Sequence, residues 1–558
     1  MLGSGMGFAV NNTVCKYGNI RVDNCNRTAN LNNNYLIQEV KFMAKVNLDA
    51  LIPREDFEVK ENINPGKKKD TLSIEDFKAD SFFFQNLRKP DFQRETNEWD
   101  SKKICAFIQS FVEGDLIPAV ILWRSTGGHL FVIDGSHRFS ALFAWVNDDY
   151  GDGKISKEFY EGVIPDEQLK FAEETRKLVN KIVCPYDDLR YALTNTEKFK
   201  PEIVQYARNL SYVAIQLQWV EGDASKAESS FLKINQQAAP INNTELQLIK
   251  SRTKPNSIAA RAIIRSGTGH KYWSSFSNEI QDKIEEIAKE INQILFEPKL
   301  HNRITTSDLP MGGKLYSNQT LSLIFDFVNV VNDIELGDNE INDDKTDEAT
   351  IKFLSKVRKI SRRLNSNDNL SLGLHPIVYF YSQEGRYRTV AFISIVDFVI
   401  ELDKRNKIND FISVREKFED FLIAYDYLSQ QIYYKYKSVH KSYKHISKFF
   451  QKVINYLKNG LEIEAIINEI ISKDFNYLTL RNTTQETNSS AKDFTTSQKS
   501  RIFIIQELPR IQRCKICGGL IHRNSISIDH IQRKQDGGLA TLDNGQITHP
   551  YCNTGYKN

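Results

Sequence analysis

Apolar positions change their period several times between residues 80 and 150, and each change predicts a different element. "DSKKICAFIQSFVEGD" (100–115) places Ile, Phe and Val at helical spacing. "PAVILW" (118–123) is a short continuous apolar run, which predicts a buried strand. "HLFVI" (129–133) predicts a second strand, "DGSHR" (134–138) a turn, and "FSALFAWV" (139–146) a helix. Residues 155–300 mix charged and apolar positions at helical period, except for the strand-like "SYVAIQLQWV" (211–220). Helical periodicity returns over 351–475. Near the end, "SISIDHI" (525–531) alternates like a strand. The order of these patterns predicts an α+β multidomain chain: an α/β N-terminal domain, a helical middle and a small C-terminal unit.

Low-periodicity stretches divide the chain. Residues 1–42 are Asn-rich and are expected to be a weakly ordered extension, or a stretch ahead of a natural start at "MAKVNLDALIP" (43–53). Residues 43–250 form the first domain and 251–481 the helical middle. Within the middle, residues 333–348 hold eight Asp or Glu against one Lys and are expected to be an exposed loop. "NTTQETNSSAKDFTTSQ" (482–498) is polar and of low complexity, so 482–500 is expected to be a linker. The terminal unit is 501–558.

Composition narrows the class. The 558 residues are 41% hydrophobic, enough for several packed cores, and the net charge is only +3. Any nucleic-acid surface must therefore come from local clustering. No apolar run approaches the roughly eighteen residues of a membrane span. The first ten residues lack the basic start and apolar stretch of a secretory signal. Seven cysteines, an odd number in a long chain, suit a reducing cytoplasm rather than a disulfide framework. Three of the seven fall in the last forty-five residues, which points to metal ligation.

The terminal unit carries two half-sites of equal spacing, Cys514-x-x-Cys517 and His549-x-x-Cys552. Three thiolates and an imidazole are the ligands a closed, structural Zn2+ takes, and a unit under about sixty residues gains from such a staple. Gly518 and Gly519 are expected to let backbone amides point at the thiolates. Zinc does not account for Asp529-His530. An Asp and an Asn oxygen, here Asp529 and Asn553, can hold one hard divalent cation such as Mg2+ or Mn2+. A neutral His beside it can deprotonate water. Strand alternation would put Asp529 and His530 on opposite faces unless the strand end twists. Pro550 suits the first turn of a helix carrying Asn553. His522 is expected at the surface.

These residues, "CKIC…IDHI…DGG…LDN…HPYCN", resemble the zinc-stapled branch of the HNH endonucleases of the ββα-metal type. The resemblance covers about fifty residues. It implies His530 as general base, Asp529 and Asn553 as ligands of the catalytic cation, and Asn544 as an orienting residue acting through loop hydrogen bonds. It also implies DNA as substrate. His549 stands where the family often has Cys, and Gly555 shortens the last helix.

Upstream, a strand ending in Asp134-Gly135 and opening a helix with Ser136, His137 and Arg138 presents backbone amides and a cation to an anion. "PDFQRETNEW" (90–99) precedes it and "FLKINQQAAPINNTEL" (231–246) follows. The three together resemble the ParB-like superfamily, in particular the DGQQR-type domain of GmrSD-like restriction enzymes. The match includes Trp99, Phe231 and Ile234. The resemblance implies a nucleoside triphosphate bound, or hydrolysed by an NTPase activity, near Gln93, Arg94, Asp134, Gly135, Ser136, His137, Arg138 and Asn235, and used to gate a nuclease. Ser136-His137 replaces the family's Gln-Gln, which bears on hydrolysis more than on phosphate binding.

Two further stretches invite a functional reading. "DDYGDGKIS" (148–156) hints at a calcium loop, but Tyr150 replaces an oxygen ligand, so an ordinary Asp/Gly turn is expected. A helix over 431–460 carries seven lysines, five tyrosines and no acidic residue; Lys435, Lys437, Lys441, Lys444 and Lys448 could track DNA phosphates, or the stretch could be a solvated face with core aromatics. The resulting expectation is a metal-dependent DNA endonuclease of antiviral defence gated by a nucleotide-binding or DNA-sensing N-terminal domain, its targets including modified phage DNA, with no membrane association and with homo-oligomerisation left open. A nucleotide-switched DNA clamp with a structural zinc module, and a homing-type endonuclease, are the alternatives.

Overall fold

A computed structural model describes residues 46–55, 67–90, 93, 96, 98–160, 162, 164, 166–238, 247–248, 251, 253–268, 271–300, 303–315, 320–335, 341–344, 348–480 and 493–557. The expected extension over 1–42 and Arg94 lie outside the described residues, as does the side chain of Asn235.

The N-terminal domain is built on a mixed six-stranded sheet. Its strands are β1 (Arg54–Glu55), β2 (Thr71–Leu72), β3 (Leu87–Pro90), β4 (Val120–Arg124), β5 (Leu130–Asp134) and β6 (Ile215–Val220), in the order β1-β3-β5-β4-β6-β2. The pairs β1–β3, β3–β5 and β4–β6 are parallel, while β4–β5 and β6–β2 are antiparallel. Pleat alternation sorts the side chains. Val120, Leu122 and Val132 enter the larger core with the helices Ser101–Glu113 and Ser136–Val146. Trp123, Phe131 and Ile133 pack on the other face against Ala227 and Phe231 of the helix Ala224–Ala238. Asp100 caps the helix Ser101–Glu113 by accepting from Lys103 N, and Gly114 ends it in a left-handed conformation. The expected helix, two strands, turn and helix over 100–146 are all present, as is the strand within 211–220.

The Asp149 loop is a closed turn. Its carboxylate accepts the amides of Gly151, Gly153 and Ser156 and the Ser156 hydroxyl, leaving it satisfied by protein donors.

A buried ionic node joins this domain to the next. Asp49 Oδ1 accepts from Arg54 (2.6 Å), Lys89 (2.8 Å) and the Thr96 amide (3.0 Å), and Oδ2 faces Arg265 at 3.4 Å. Lys89 also donates to Thr96 Oγ1, and Arg54 to the Gln93 carbonyl. Burial alone would raise the Asp49 carboxyl, but Arg54, Lys89 and Arg265 outweigh it and hold it well below the usual range. Arg265 follows the helix Pro255–Ile264, the first of the helical middle.

The middle packs the helices Asn278–Phe296, Thr320–Val331, Glu348–Leu364, Thr389–Lys404, Arg415–Tyr436, Val439–Lys458 and Ile463–Lys473 around one apolar core. Phe398, Phe411, Phe418 and Phe450 meet there at ring distances near 6 Å. The sequence predicted one helix over 431–460. Instead Lys437 adopts a left-handed conformation and Ser438 caps a new helix by accepting from Lys441 N. Two helices result, because Ser at this position satisfies the free amides of a fresh start.

The terminal unit is not loosely tethered. Cys514, Cys517, Ile521 and Cys552 belong to the same apolar core as the helical middle. Of the expected linker 482–500, residues 482–492 lie outside the described residues, and a helix, Thr496–Glu507, begins within the remainder. Thr495 and Gln498 form a reciprocal cap, so polar residues that suggested a linker start a helix instead. Ile504 is buried, and Ser500 Oγ accepts from the Ile304 amide.

Replacing Asp49 with Asn should cost about 3–5 kcal/mol, because it strands buried cations without their carboxylate. Denaturant unfolding at neutral pH measures this, and a loss under 1 kcal/mol would show that the node is dispensable.

Candidate metal centre and active site

The strands β7 (Ser527–His530) and β8 (Gly545–Thr548) form an antiparallel hairpin, pairing Asp529 with Gln546 and His530 with Gly545. His549 follows β8 directly, and Cys552 opens the last turn. The ligand atoms of Cys514, Cys517, His549 and Cys552 all lie within 4.8 Å of one another, and all four residues are buried. Nε2 of His549 lies 3.0 Å from the Leu520 carbonyl, which assigns it the proton. Nδ1 is then the free nitrogen, and it faces Cys517 Sγ at 3.3 Å and Cys552 Sγ at 3.9 Å. Burial, and then Arg415, lower the His549 pKa, keeping the imidazole neutral as a ligand must be. Hydrogen bonds from the Cys517 and Cys552 thiols pull the Cys514 thiol down. Three soft sulfurs and one neutral nitrogen, enclosed and convergent, fit a tetrahedral zinc.

The two glycines after Cys517 have a different purpose from the one expected. A Cβ on Gly519 would lie 2.3 Å from Arg415 Nε, and one on Gly518 2.5 Å from Glu416 Oε2. They allow the knuckle to approach the helix Arg415–Tyr436. Arg415, fully buried, donates to Glu419 Oε1 (2.8 Å) and to the carbonyls of Leu372 and Gly373, and its Nη1 lies 3.2 Å from His549 Nδ1. Glu419 Oε2 accepts from the Leu520 amide (2.7 Å). Sequence spacing offered no sign of this pair, because both residues read as ordinary charged positions at i and i+4 of a helix.

The second constellation lies beside the cage. Asn553, next to Cys552, donates through Nδ2 to Ser527 Oγ (2.8 Å) and the Ile528 carbonyl (3.2 Å). The last turn thus lies against β7, the strand that carries Asp529 and His530. Asp529 is buried. Its Oδ2 accepts from Gln546 Nε2 (2.8 Å) and Lys557 Nζ (2.6 Å). Asn544 stands apart from the pair: its Oδ1 accepts from the Gln532 amide (2.7 Å), and its Nδ2 donates to the carbonyls of Leu539 and Gln532. These bonds tie down the loop between the strands. The donor set of a carboxylate and an amide oxygen suits a hard cation, and the Lys557 ammonium already stands as a cation on that carboxylate.

At the N-terminal turn, Gly135 is left-handed (φ 101°), and a Cβ there would meet Val120 at 2.7 Å. Arg138 pairs with Asp134 and donates to the carbonyls of Pro118 and Ala119. It therefore braces the strand end rather than presenting a free cation. His137 stacks on Trp99 (5.6 Å between rings) and its Nε2 lies 3.4 Å from the Glu98 amide. Gln93 Nε2 lies 3.4 Å from Ser136 Oγ, while its buried Oε1 has no hydrogen-bond partner among the described residues. The expected nucleotide-site residues Gln93, Ser136 and His137 thus meet around one turn.

Among the five lysines expected to track DNA, Lys441, Lys444 and Lys448 are exposed at helical spacing on Val439–Lys458. Lys444 pairs with Glu335. Lys435 lies over the Tyr477 ring, and Lys437 is in the turn between helices. Tyr443, Phe449 and Phe450 are buried core residues, which leaves them no role in stacking on bases.

His522 is fully buried, contrary to the surface position expected. Asn365 Nδ2 lies 2.8 Å from its Nδ1, and its ring meets His375 edge-on at 5.2 Å. Docking on the helical middle covers it. Burial, and then Arg523, push its pKa down to about 4.

Residues 75–253 match the family model of the GmrSD restriction endonuclease N-terminal domain, and residues 514–558 match that of the HNH endonucleases. Neither curated proteins nor solved structures yield a match to the chain.

Two outcomes follow from the docked cage. His522 titrates near 6.5 when unfolded and near 4 when folded, so the unfolded chain binds the extra proton between those values. Stability should be fully present above pH 6.5 and fall by on the order of 3 kcal/mol toward pH 4 from this residue alone. Thermal melts across that window should flatten in His522→Asn. Cys517→Ser should lose the bound metal, seen by elemental analysis, and expose 501–558 to protease; retention of one zinc per chain would remove Cys517 from the ligand set.

Proposed function

From a chain that joins a GmrSD-type N-terminal domain to an HNH endonuclease domain, we propose a restriction-type DNA endonuclease of antiviral defence. The supporting observation is the docking of the Asn553 turn on β7, the strand of Asp529 and His530, beside a separate Cys3His cage. In this reading zinc has a structural part. It clamps Cys552, and with it the adjacent Asn553, to the end of β8.

Asp529 and Asn553 would hold a magnesium or manganese ion, which when bound would stabilise charge on the scissile phosphate and the leaving oxygen. His530 takes the proton from the attacking water. Asn544 keeps the connecting loop in place beside His530. The phosphodiester is cleaved by in-line attack, with the leaving oxygen departing opposite the water.

Gating is the second part of the proposal. A nucleoside triphosphate at Gln93, Ser136 and His137 would bear on the loop whose Gln93 carbonyl and Thr96 amide are held by the Asp49 node. Arg265 carries that node into the helical middle, and Arg415–Glu419 carries the middle to the nuclease unit. Modified phage DNA is a candidate target, with the exposed lysines of Val439–Lys458 as an accessory phosphate track.

Plasmid and modified phage DNA, each incubated with Mg2+ and with or without nucleoside triphosphate, test the reading. Cleavage should require Mg2+ and should fall by about 10²–10⁴-fold in His530→Ala. Zinc content and melting temperature should be unchanged. Wild-type cleavage rates in that variant would remove His530 from the chemistry.

A further inference from the structure

Lys557 enters none of the roles assigned so far, yet it makes the most direct contact with the proposed metal ligand. Its ammonium lies 2.6 Å from Asp529 Oδ2 and also donates to the His530 carbonyl. Both side chains are shielded: Lys557 is 17% exposed and Asp529 6%. The placement is built in by the backbone. Cys552–Tyr556 winds as a π-turn, with the Lys557 amide bonded to the Cys552 carbonyl at 3.2 Å. Such wide turns re-aim the residue that follows them. Arg533 pins the next atom in line by donating to the Lys557 carbonyl at 2.6 Å. A residue whose amide, carbonyl and ammonium are all engaged is positioned, not loosely tethered.

The electrostatics have one consequence. Oδ2 already accepts from Gln546 and Lys557, which occupies its two lone pairs. A divalent ion binding there must displace a donor, and Gln546 is neutral while Lys557 repels the incoming charge. Binding through Oδ1 instead leaves two cations on one shielded carboxylate, where solvent screens them little.

We propose that Lys557 is an internal counter-ion that competes with the catalytic metal for Asp529. This inference rests on the metal role proposed above for Asp529. Lys557 holds the carboxylate in place when no metal is bound and is released when the divalent ion arrives. It is a positioning residue that sets the metal concentration at which the nuclease arms. An ordinary supporting contact would behave oppositely, because loss of an outer-shell partner typically weakens metal binding about 10–100-fold.

Titration of the full chain with Mn2+, followed by electron paramagnetic resonance, separates the two. Lys557→Gln should bind Mn2+ about tenfold more tightly than wild type, the opposite sign to an outer-shell loss. Lys557→Arg, which keeps the charge, should stay near wild type, and zinc content should be constant throughout. Unchanged or weaker Mn2+ binding in Lys557→Gln would overturn the role of Lys557 alone. Failure of the zinc-replete wild type to bind Mn2+ would overturn the metal assignment of Asp529 itself. A second measurement needs no variant: Mg2+ should speed chemical acetylation of the Lys557 amine in the wild-type chain, read by mass spectrometry, and an unchanged rate would count against release.

Discussion

Arg415 is the contact on which the terminal unit depends. Its guanidinium is buried where the helical middle meets the Cys3His cage, bonded to Glu419 and two carbonyls and set beside His549. Breaking a buried charged network of this kind leaves an unpaired ion in a dry interior, a cost of several kcal/mol. The two glycines of the knuckle exist to let it approach. A small metal-stapled hairpin that would otherwise have little core thereby shares the core of its neighbour. The nuclease unit is a docked part of one body, Ala44–Asn558, and not a free head on a string.

That docking fixes the terminal unit on the helical middle through a shared apolar core. Two buried ionic contacts lie at the two boundaries, Asp49 with Arg265 at one and Arg415 with Glu419 at the other. The neutral pair His375 and His522 is buried at the second boundary, where protonation of either ring would be costly.

Much was legible in the sequence because it was local. Strand, turn and helix over 100–146 followed from periodicity, since the pleat and the helical repeat each impose their own spacing. The four ligands Cys514, Cys517, His549 and Cys552 followed from paired x-x spacings, since a tetrahedral ion selects both residue type and separation. The reading failed where a residue's environment is supplied from far along the chain. His522 looks solvent-facing until the helical middle covers it. The polar residues 495–500 look like the end of a linker until Thr495 and Gln498 cap a helix. The lysine-rich stretch at 431–460 looks like one helix until Ser438 restarts it.

By itself, then, the sequence determined which residue types stand together: three cysteines and a histidine in paired x-x spacings, an Asp529–His530 pair followed by Asn553, and a glycine turn after a strand. These are properties of residue type and short spacing. Only the tertiary structure decided how that chemistry is held. It set the nuclease unit on Arg415, turned Arg138 toward Asp134 and brought the Lys557 ammonium to Asp529. Arg415 reaches the carbonyls of Leu372 and Gly373, and Lys557 reaches Asp529 28 residues back; partners that far apart leave no periodic trace in a chain.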